Sequence, residues 1–227
     1  MARIAEDLFL LLLDNASAQP GLDRRRRERV LGAAVLLDLA YLCRIRPALA
    51  GEPVAAGRLI ALAGHFPPDP VADPAFEVLC KRPLAPEAAL AKLGRRVQSD
   101  LETHLQAIGQ IRRIRVPGKG FPGRRGYCWP LTNRDRVGAA RAALLGALFD
   151  GHNPTPTIAA IICLLHAVDG LGAVLSLNER GWRWVHARAT EISTGGWVDE
   201  NVDENAVALP EMNLAVTTSA LRPALMS

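Results

Sequence analysis

The chain has 227 residues, 49% of them hydrophobic, with 27 Lys and Arg against 23 Asp and Glu for a formal net charge of +4. That length and apolar content suit a globular protein with a substantial core and exclude a disordered one. The charge is unevenly spread: residues 151–227 carry 4 basic and 8 acidic side chains, leaving 23 and 15 in residues 1–150, so any anion-facing surface belongs to the first two-thirds.

Ile4, Leu8, Leu11 and Leu12 share one side of a helix over 3–14, which Asp14-Asn15 ends. This start is no signal peptide, because the apolar run Leu8–Leu13 is short, follows Glu6 and Asp7, and has no small-residue cleavage site behind it. After a turn at Gln19-Pro20-Gly21 comes the stretch around which the chain is organised, Leu22–Ile45, with Asp23 as N-cap. Arg24, Arg25, Arg26, Arg27 and Arg29 crowd its first third, whereas Val30–Leu42 is apolar nearly all round apart from Asp38. A helix of that kind is a basic handle at one end and a core rod at the other. Cations in a first turn oppose the helix dipole at a few tenths of a kcal/mol each. The run therefore invites an anionic partner, a solvated basic turn being the plain alternative.

RIRP and GRLIALAG (57–64) suit a strand or short hairpin, and the proline-rich segment 66–74 a loop. A short helix over Ala75–Arg82 follows. The next helix runs from Pro86 to about Ile108, with Leu90, Leu93, Val97, Leu101, Leu105 and Ile108 as its apolar stripe and Gly109 behind it. QIRRIRV (110–116) and YCWPLTN (127–133) read as the strands of a β-hairpin over about 110–131, with a glycine-rich tip that holds Lys119, Phe121, Arg124 and Arg125. Thr132 or Asn133 caps a helix over Arg134–Phe149, and Thr155–Val168 is a second helix apolar on every side. Trp182 and Trp184 sit two apart in 171–188, and the acidic tail 199–227 holds one last helix. The pattern is mainly α: a single helical domain over 1–227, of seven or eight helices, with central apolar helices ringed by amphipathic ones and an inserted hairpin.

Little in this chain points to catalysis. The five histidines form no metal-spaced pair, and no nucleophile elbow or phosphate-binding glycine motif occurs; GKGFPG (118–123) has its lysine too early and no strand-to-helix transition around it. His166, near Asp169, reads as a hydrogen-bonded core histidine rather than a base. Cys43, Cys80, Cys128 and Cys163 form no CxxC, so they read as buried, reduced thiols of a cytoplasmic protein, with neither a metal nor a disulfide framework. No cofactor and no catalytic residue is expected. No stretch reaches the roughly 20 apolar residues of a membrane span.

Basic residues remain. Ten Lys/Arg between Arg95 and Arg136 face Asp100, Glu102 and Asp135, and with Arg24–Arg29 they make two clusters that helix packing can bring to one face. Cations beside an anionic leaflet contribute on the order of 1 kcal/mol each, so four or five engaged arginines suffice for reversible docking. Phe121 either inserts into the bilayer or tucks back onto the fold or a neighbouring subunit. No recognition helix, stacked aromatic pair or basic-helix dimer suggests nucleic acid.

EDLFLLLLDN (6–15), GAAVLLDLAYLCRI (32–45), LGRRVQSDLETHLQAIG (93–109) followed by a hairpin, WPLTN (129–133) and AIICLLHAVDGL (160–171) occur in an order that resembles the Golgi phosphoprotein 3 family, and its bacterial branch most. The resemblance implies one mostly helical domain with a protruding hairpin. It also implies binding of phosphatidylinositol 4-phosphate at a membrane, with the hairpin in membrane contact or self-association and, in eukaryotic members, the gathering of glycosyltransferase tails. The family's headgroup pocket uses a tryptophan and three arginines, which fall here at Asp23, Gly32, Arg95 and Gln98; one of the four is retained. Arg29 and Arg96 stand close enough to substitute in charge, which implies a looser preference for anionic lipid.

The resulting expectation is a non-enzymatic, reversibly membrane-associated protein that takes anionic headgroups on Arg25, Arg26, Arg29, Arg95 and Arg96. Phe121, Arg124 and Arg125 form its membrane-contact or oligomerisation hairpin. The alternative is a protein-interaction adaptor that uses the same hairpin and basic face without lipid. The lipid reading requires Arg29 and Arg95 to share one side of the molecule.

Overall fold

In the computed structural model, which describes residues 3–117, 125–195 and 209–226, a long helix carries the others. Asp23 caps it, its carboxylate accepting the Arg26 N–H at 3.1 Å, and the helix, α2, runs Arg24–Tyr41 with every residue from Val30 to Ala40 buried. Before it lies α1 (Ile4–Leu13); after it come α3 (Asp73–Lys81), α4 (Pro86–Ala107), α5 (Asp135–Phe149), α6 (Pro156–Ala167), α7 (Glu179–Ser193) and α8 (Leu209–Met226), with one 3-10 turn at Leu171–Ala173. Among the described residues the fold is thus mainly α, with eight helices.

Two short antiparallel hairpins interrupt the helices. Strands β1 (Ile45–Pro47) and β2 (Leu59–Ala61) pair Arg46 with Ile60. Strands β3 (Ile114–Pro117) and β4 (Arg125–Cys128) pair Arg115 with Tyr127, and an isolated bridge, Ile111 to Leu131, extends the ladder towards α4. The guanidinium of Arg113 lies 3.6 Å from the centre of the Tyr127 ring, a cation–π contact that stiffens the stem. Lys119, Phe121 and Arg124 at the tip, and the side chain of Arg125, lie outside the described residues. So does the segment 196–208, the first part of the tail.

One apolar core takes residues from all eight helices, with α1, α2 and α6 at its centre. Helices α4 and α8 both run antiparallel to α2. Gly94 of α4 meets Glu28 and its neighbour Leu90 meets Gly32, while in α8 Asn213 donates from Nδ2 to the carbonyls of Ala40 and Ile45 at 2.6 and 2.7 Å.

Several expectations need correction. Helix α1 is buried on every side rather than on one, Glu6 and Asp7 included. Its two acids are tolerated because Arg136 of α5 reaches both, Nη1 to Glu6 and Nε to Asp7, each at 2.6 Å, with Arg3 and His104 also beside Glu6 at 3.4 and 3.3 Å. Asp38 of α2 does for the start of α1 what no neighbouring residue does: its carboxylate accepts the N–H groups of Ile4 and Ala5 at 2.8 and 3.0 Å. Of the four cysteines only Cys163 is buried; Cys80 is exposed and Cys43 and Cys128 are half-buried. Helix α5 is not capped by Thr132. Arg134 holds the N-cap position, and Asn133 accepts the Asp135 N–H at 2.7 Å one step earlier. His166 is half-buried rather than enclosed, 3.2 Å from Thr190 Oγ1, with its ring 5.7 Å from that of His186. Its Nδ1 is buried without a partner, and burial holds its pKa below 6.5. Asp169 offers it no side-chain bond; the Asp169 carbonyl accepts Arg26 at 3.0 Å instead.

Candidate functional site

Helices α2 and α4 approach closely because glycines face each other between them. A Cβ on Gly32 would stand 3.7 Å from Gly94 Cα, and one on Gly94 would stand 2.9 Å from the backbone oxygen of Glu28. With no side chain between the two backbones, residues flanking the contact stand across a narrow cleft. Its wall holds Arg25, Glu28 and Arg29 from α2, Glu87, Leu90, Ala91, Gly94 and Arg95 from α4, and Ala224 from the last turn of α8. The cleft has a volume of about 330 Å³, the lower end of the range for small-molecule sites.

The arrangement brings Arg29 and Arg95, 66 positions apart, to the same groove. Arg25 joins them because it stands one helical turn before Arg29 on the same face. Arg26 and Arg96 do not line it. The Arg26 side chain turns to Asp23 and to the carbonyls of Val168 and Asp169, where it satisfies the open end of α6. Arg96 points outward from α4 and pairs with Asp100 one turn on, at 3.4 Å.

The three groove arginines are not equivalent. Arg29 is half-buried and donates from Nη2 to the carbonyl of Ala224 in the last turn of α8. It is therefore part of the attachment of α8 as well as of the groove wall. The side chains of Arg25 and Arg95 are exposed and make no hydrogen bond or ion pair among the described residues. Two unopposed guanidiniums, each with a fork of donors that matches carboxylate and phosphate oxygens, are the chemically available part of the site.

Acidic groups also line the groove. Glu28 is held by Arg24, Nε to Oε1 at 2.7 Å. Glu87, exposed in the first turn of α4, makes no ion pair among the described residues. Neither carboxylate pairs with Arg25 or Arg95, so both signs of charge remain open along one cleft.

The three positions at which the resemblance implied a headgroup-binding residue and this chain has another all carry structural roles. Asp23 is the N-cap of α2. Gly32 is buried against α4, with the Leu90 side chain 3.6 Å from where its Cβ would be, so an arginine there would have to part the two helices. Gln98 accepts Arg27 Nε at 2.8 Å and passes its own amide to Glu102 at 2.7 Å. Arg27 also donates to Leu22 O at 2.6 Å and does not line the groove.

Sequence reasoning missed Glu28 and Glu87 as groove residues, and Ala224 altogether. The first two are ordinary helix-surface acids in the pattern, and a backbone carbonyl leaves no trace in a sequence. Gly94 had a signal, a glycine in the middle of a periodic helix.

Among the described residues, no group of three or more His, Cys, Asp or Glu could hold a metal ion, and no helix is long and apolar enough to cross a membrane. A family model described as Golgi phosphoprotein 3 (GPP34) matches residues 4–209. Among curated proteins, none matches the sequence.

Proposed function

Since the chain belongs to the Golgi phosphoprotein 3 (GPP34) family, we propose that it docks reversibly on an anionic phospholipid surface, phosphoinositide-containing or otherwise, through the groove between α2 and α4. The observation that carries this reading is the convergence of Arg25, Arg29 and Arg95 on one cleft, with Arg25 and Arg95 unopposed. Three cations near an anionic leaflet contribute roughly 3 kcal/mol together, enough for docking that salt reverses. Arg26 and Arg96 add to the long-range field that draws the protein to the surface. The hairpin, with Phe121, Arg124 and Arg125, is taken as a second contact with the bilayer or with another copy.

The reading treats residues 1–227 as one domain of a bacterial family member in the cytoplasm. The family-pocket tryptophan and two of its three arginines are replaced by Asp23, Gly32 and Gln98, which favours general recognition of anionic headgroups over stereospecific recognition of phosphatidylinositol 4-phosphate. The gathering of glycosyltransferase tails, which presupposes a Golgi, is not carried over.

Vesicle flotation tests the reading. The parent should float with vesicles containing phosphatidylglycerol or phosphatidylinositol 4-phosphate, not with phosphatidylcholine alone, and less as ionic strength rises. Charge reversal at Arg25 and Arg95 should abolish flotation with the circular dichroism spectrum unchanged. Arg29 is the poorer target, because its loss also releases the end of α8. Flotation of the double variant equal to the parent would show that lipid binding uses another face. No flotation of the parent would favour an adaptor that binds protein through the same surface.

A further inference from the structure

We infer that the groove is built for a headgroup carrying an amine beside its phosphodiester, that is, an aminophospholipid, with the phosphate on Arg25, Arg29 and Arg95 and the ammonium on Glu87. The inference rests on the docking reading above and names what the groove selects within that surface.

The argument starts from charges that share a cleft without pairing. Arg25 and Arg95 stand in the same 330 Å³ groove as Glu87, yet none of the three has an ionic partner among the described residues. A site designed only for a multiply charged anion gains nothing from an open carboxylate. Glu87 would repel the second negative charge of a phosphomonoester, the group that distinguishes phosphatidylinositol 4-phosphate. A glycerol headgroup would satisfy the arginines and leave Glu87 without a partner.

A phosphoethanolamine headgroup meets both signs. Its phosphodiester oxygens accept from the guanidinium forks, and its ammonium, two carbons beyond the ester oxygen, offers three donors to a carboxylate. Choline presents a positive charge of the same sign with no N–H donor, so it cannot make that bond. Glu87 also stands where its charge costs the protein nothing, because an acid in the first turn of α4 is favoured by the helix dipole.

The test holds surface charge constant and varies only the amine. Full-length protein is titrated with vesicles of phosphatidylglycerol in phosphatidylcholine and with vesicles of the same phosphatidylglycerol fraction in phosphatidylethanolamine. One exposed ion pair predicts a preference of about fivefold for the ethanolamine vesicles. Glu87→Gln should erase that difference, and soluble glycerophosphoethanolamine should compete with the ethanolamine vesicles better than glycerol phosphate does. If Glu87→Gln keeps the preference, ethanolamine acts through bilayer packing and the inference is overturned. Equal binding of the parent to both vesicle types overturns it too and leaves the anionic-surface reading standing. Binding to neither removes both.

Discussion

Substituting Gly94 by alanine probes the contact on which the groove depends, and the structure sets the size of the effect. On an isolated helix Gly→Ala is worth about 0.5–1 kcal/mol of stabilisation, from the backbone freedom that glycine loses on folding. Here the new methyl carbon would stand 2.9 Å from the Glu28 carbonyl oxygen, 3.2 Å from its carbonyl carbon and 3.2 Å from its Cβ. Two of those three atoms are backbone in the second turn of α2, so no rotamer change relieves the contact and the helices must separate. Overpacking of that kind costs about 1–3 kcal/mol. The clash should therefore outweigh the propensity gain and leave Gly94→Ala less stable by about 1 kcal/mol.

Gly138 supplies the control. It is an exposed glycine in α5 whose added Cβ would have nothing within 4 Å, so Gly138→Ala should stabilise by about 0.5 kcal/mol. At this chain length 1 kcal/mol moves the melting temperature by about 2–4 °C, so the two variants should melt on opposite sides of the parent. Urea titration gives the free energies directly, and an unchanged slope would show that the unfolded state is not responsible. Since moving α4 outward widens the cleft between Arg29 and Arg95, Gly94→Ala should also bind phosphatidylglycerol vesicles more weakly, while Gly138→Ala binds as the parent does. If Gly94→Ala is as stabilising as Gly138→Ala, the two backbones are not in contact and the cleft between them has another origin.

Two further outcomes follow from buried charge. Burial pushes the Asp38 carboxyl from 3.8 to about 7, against the opposing pull of the Ala5 and Ile4 N–H groups. The folded chain therefore holds a proton that the unfolded chain releases, so this contribution to stability is complete below about pH 4, is lost as pH rises to about 7 and is flat above. For this buried group a rise from 3.8 to about 7 corresponds to about 4 kcal/mol. Urea midpoints of the parent minus those of Asp38→Asn should fall across that window, and a difference that does not vary with pH would refute the assignment. Arg136→Met takes the ion-pair partner from buried Asp7, leaves Glu6 only Arg3 and His104, and should cost about 3 kcal/mol. Asp7→Asn in the same chain should recover part of the loss, which a double-mutant cycle in urea would measure; simple additivity would mean that the ion pair is not what holds α1 against α5.

How much of this was legible in the sequence depends on where each residue's partner lies. α4 could be read from its own spacing, because its apolar stripe from Leu90 to Leu105 faces the core and its outer face meets water. α2 could be read from the absence of polar residues after Val30. α1 was read only by half. Glu6 and Asp7 look like solvent-facing acids to any rule based on periodicity, and the partners that make their burial tolerable are mostly remote: Arg136, some 130 residues on, for both, and His104 beside Arg3 for Glu6.

The groove divides the same way. Helical periodicity alone associates Arg25 with Arg29, four apart, and turns Arg26 and Arg96 about 100° away from Arg25 and Arg95 respectively, so a stricter use of the helical wheel would have separated the groove arginines from the others. Nothing in the spacing says that α8 closes the cleft. That follows from Arg29, whose guanidinium holds the carbonyl of Ala224 and, in the proposed docking, also meets the phosphate. A half-buried arginine committed to a helix end cannot swing out to meet a ligand, so the ligand must come to it. Arg25 and Arg95, free to move, would then close over an anion that Arg29 has already fixed in position, which is why reversal of the two mobile arginines is the cleaner test of binding and Arg29 the cleaner test of the fold.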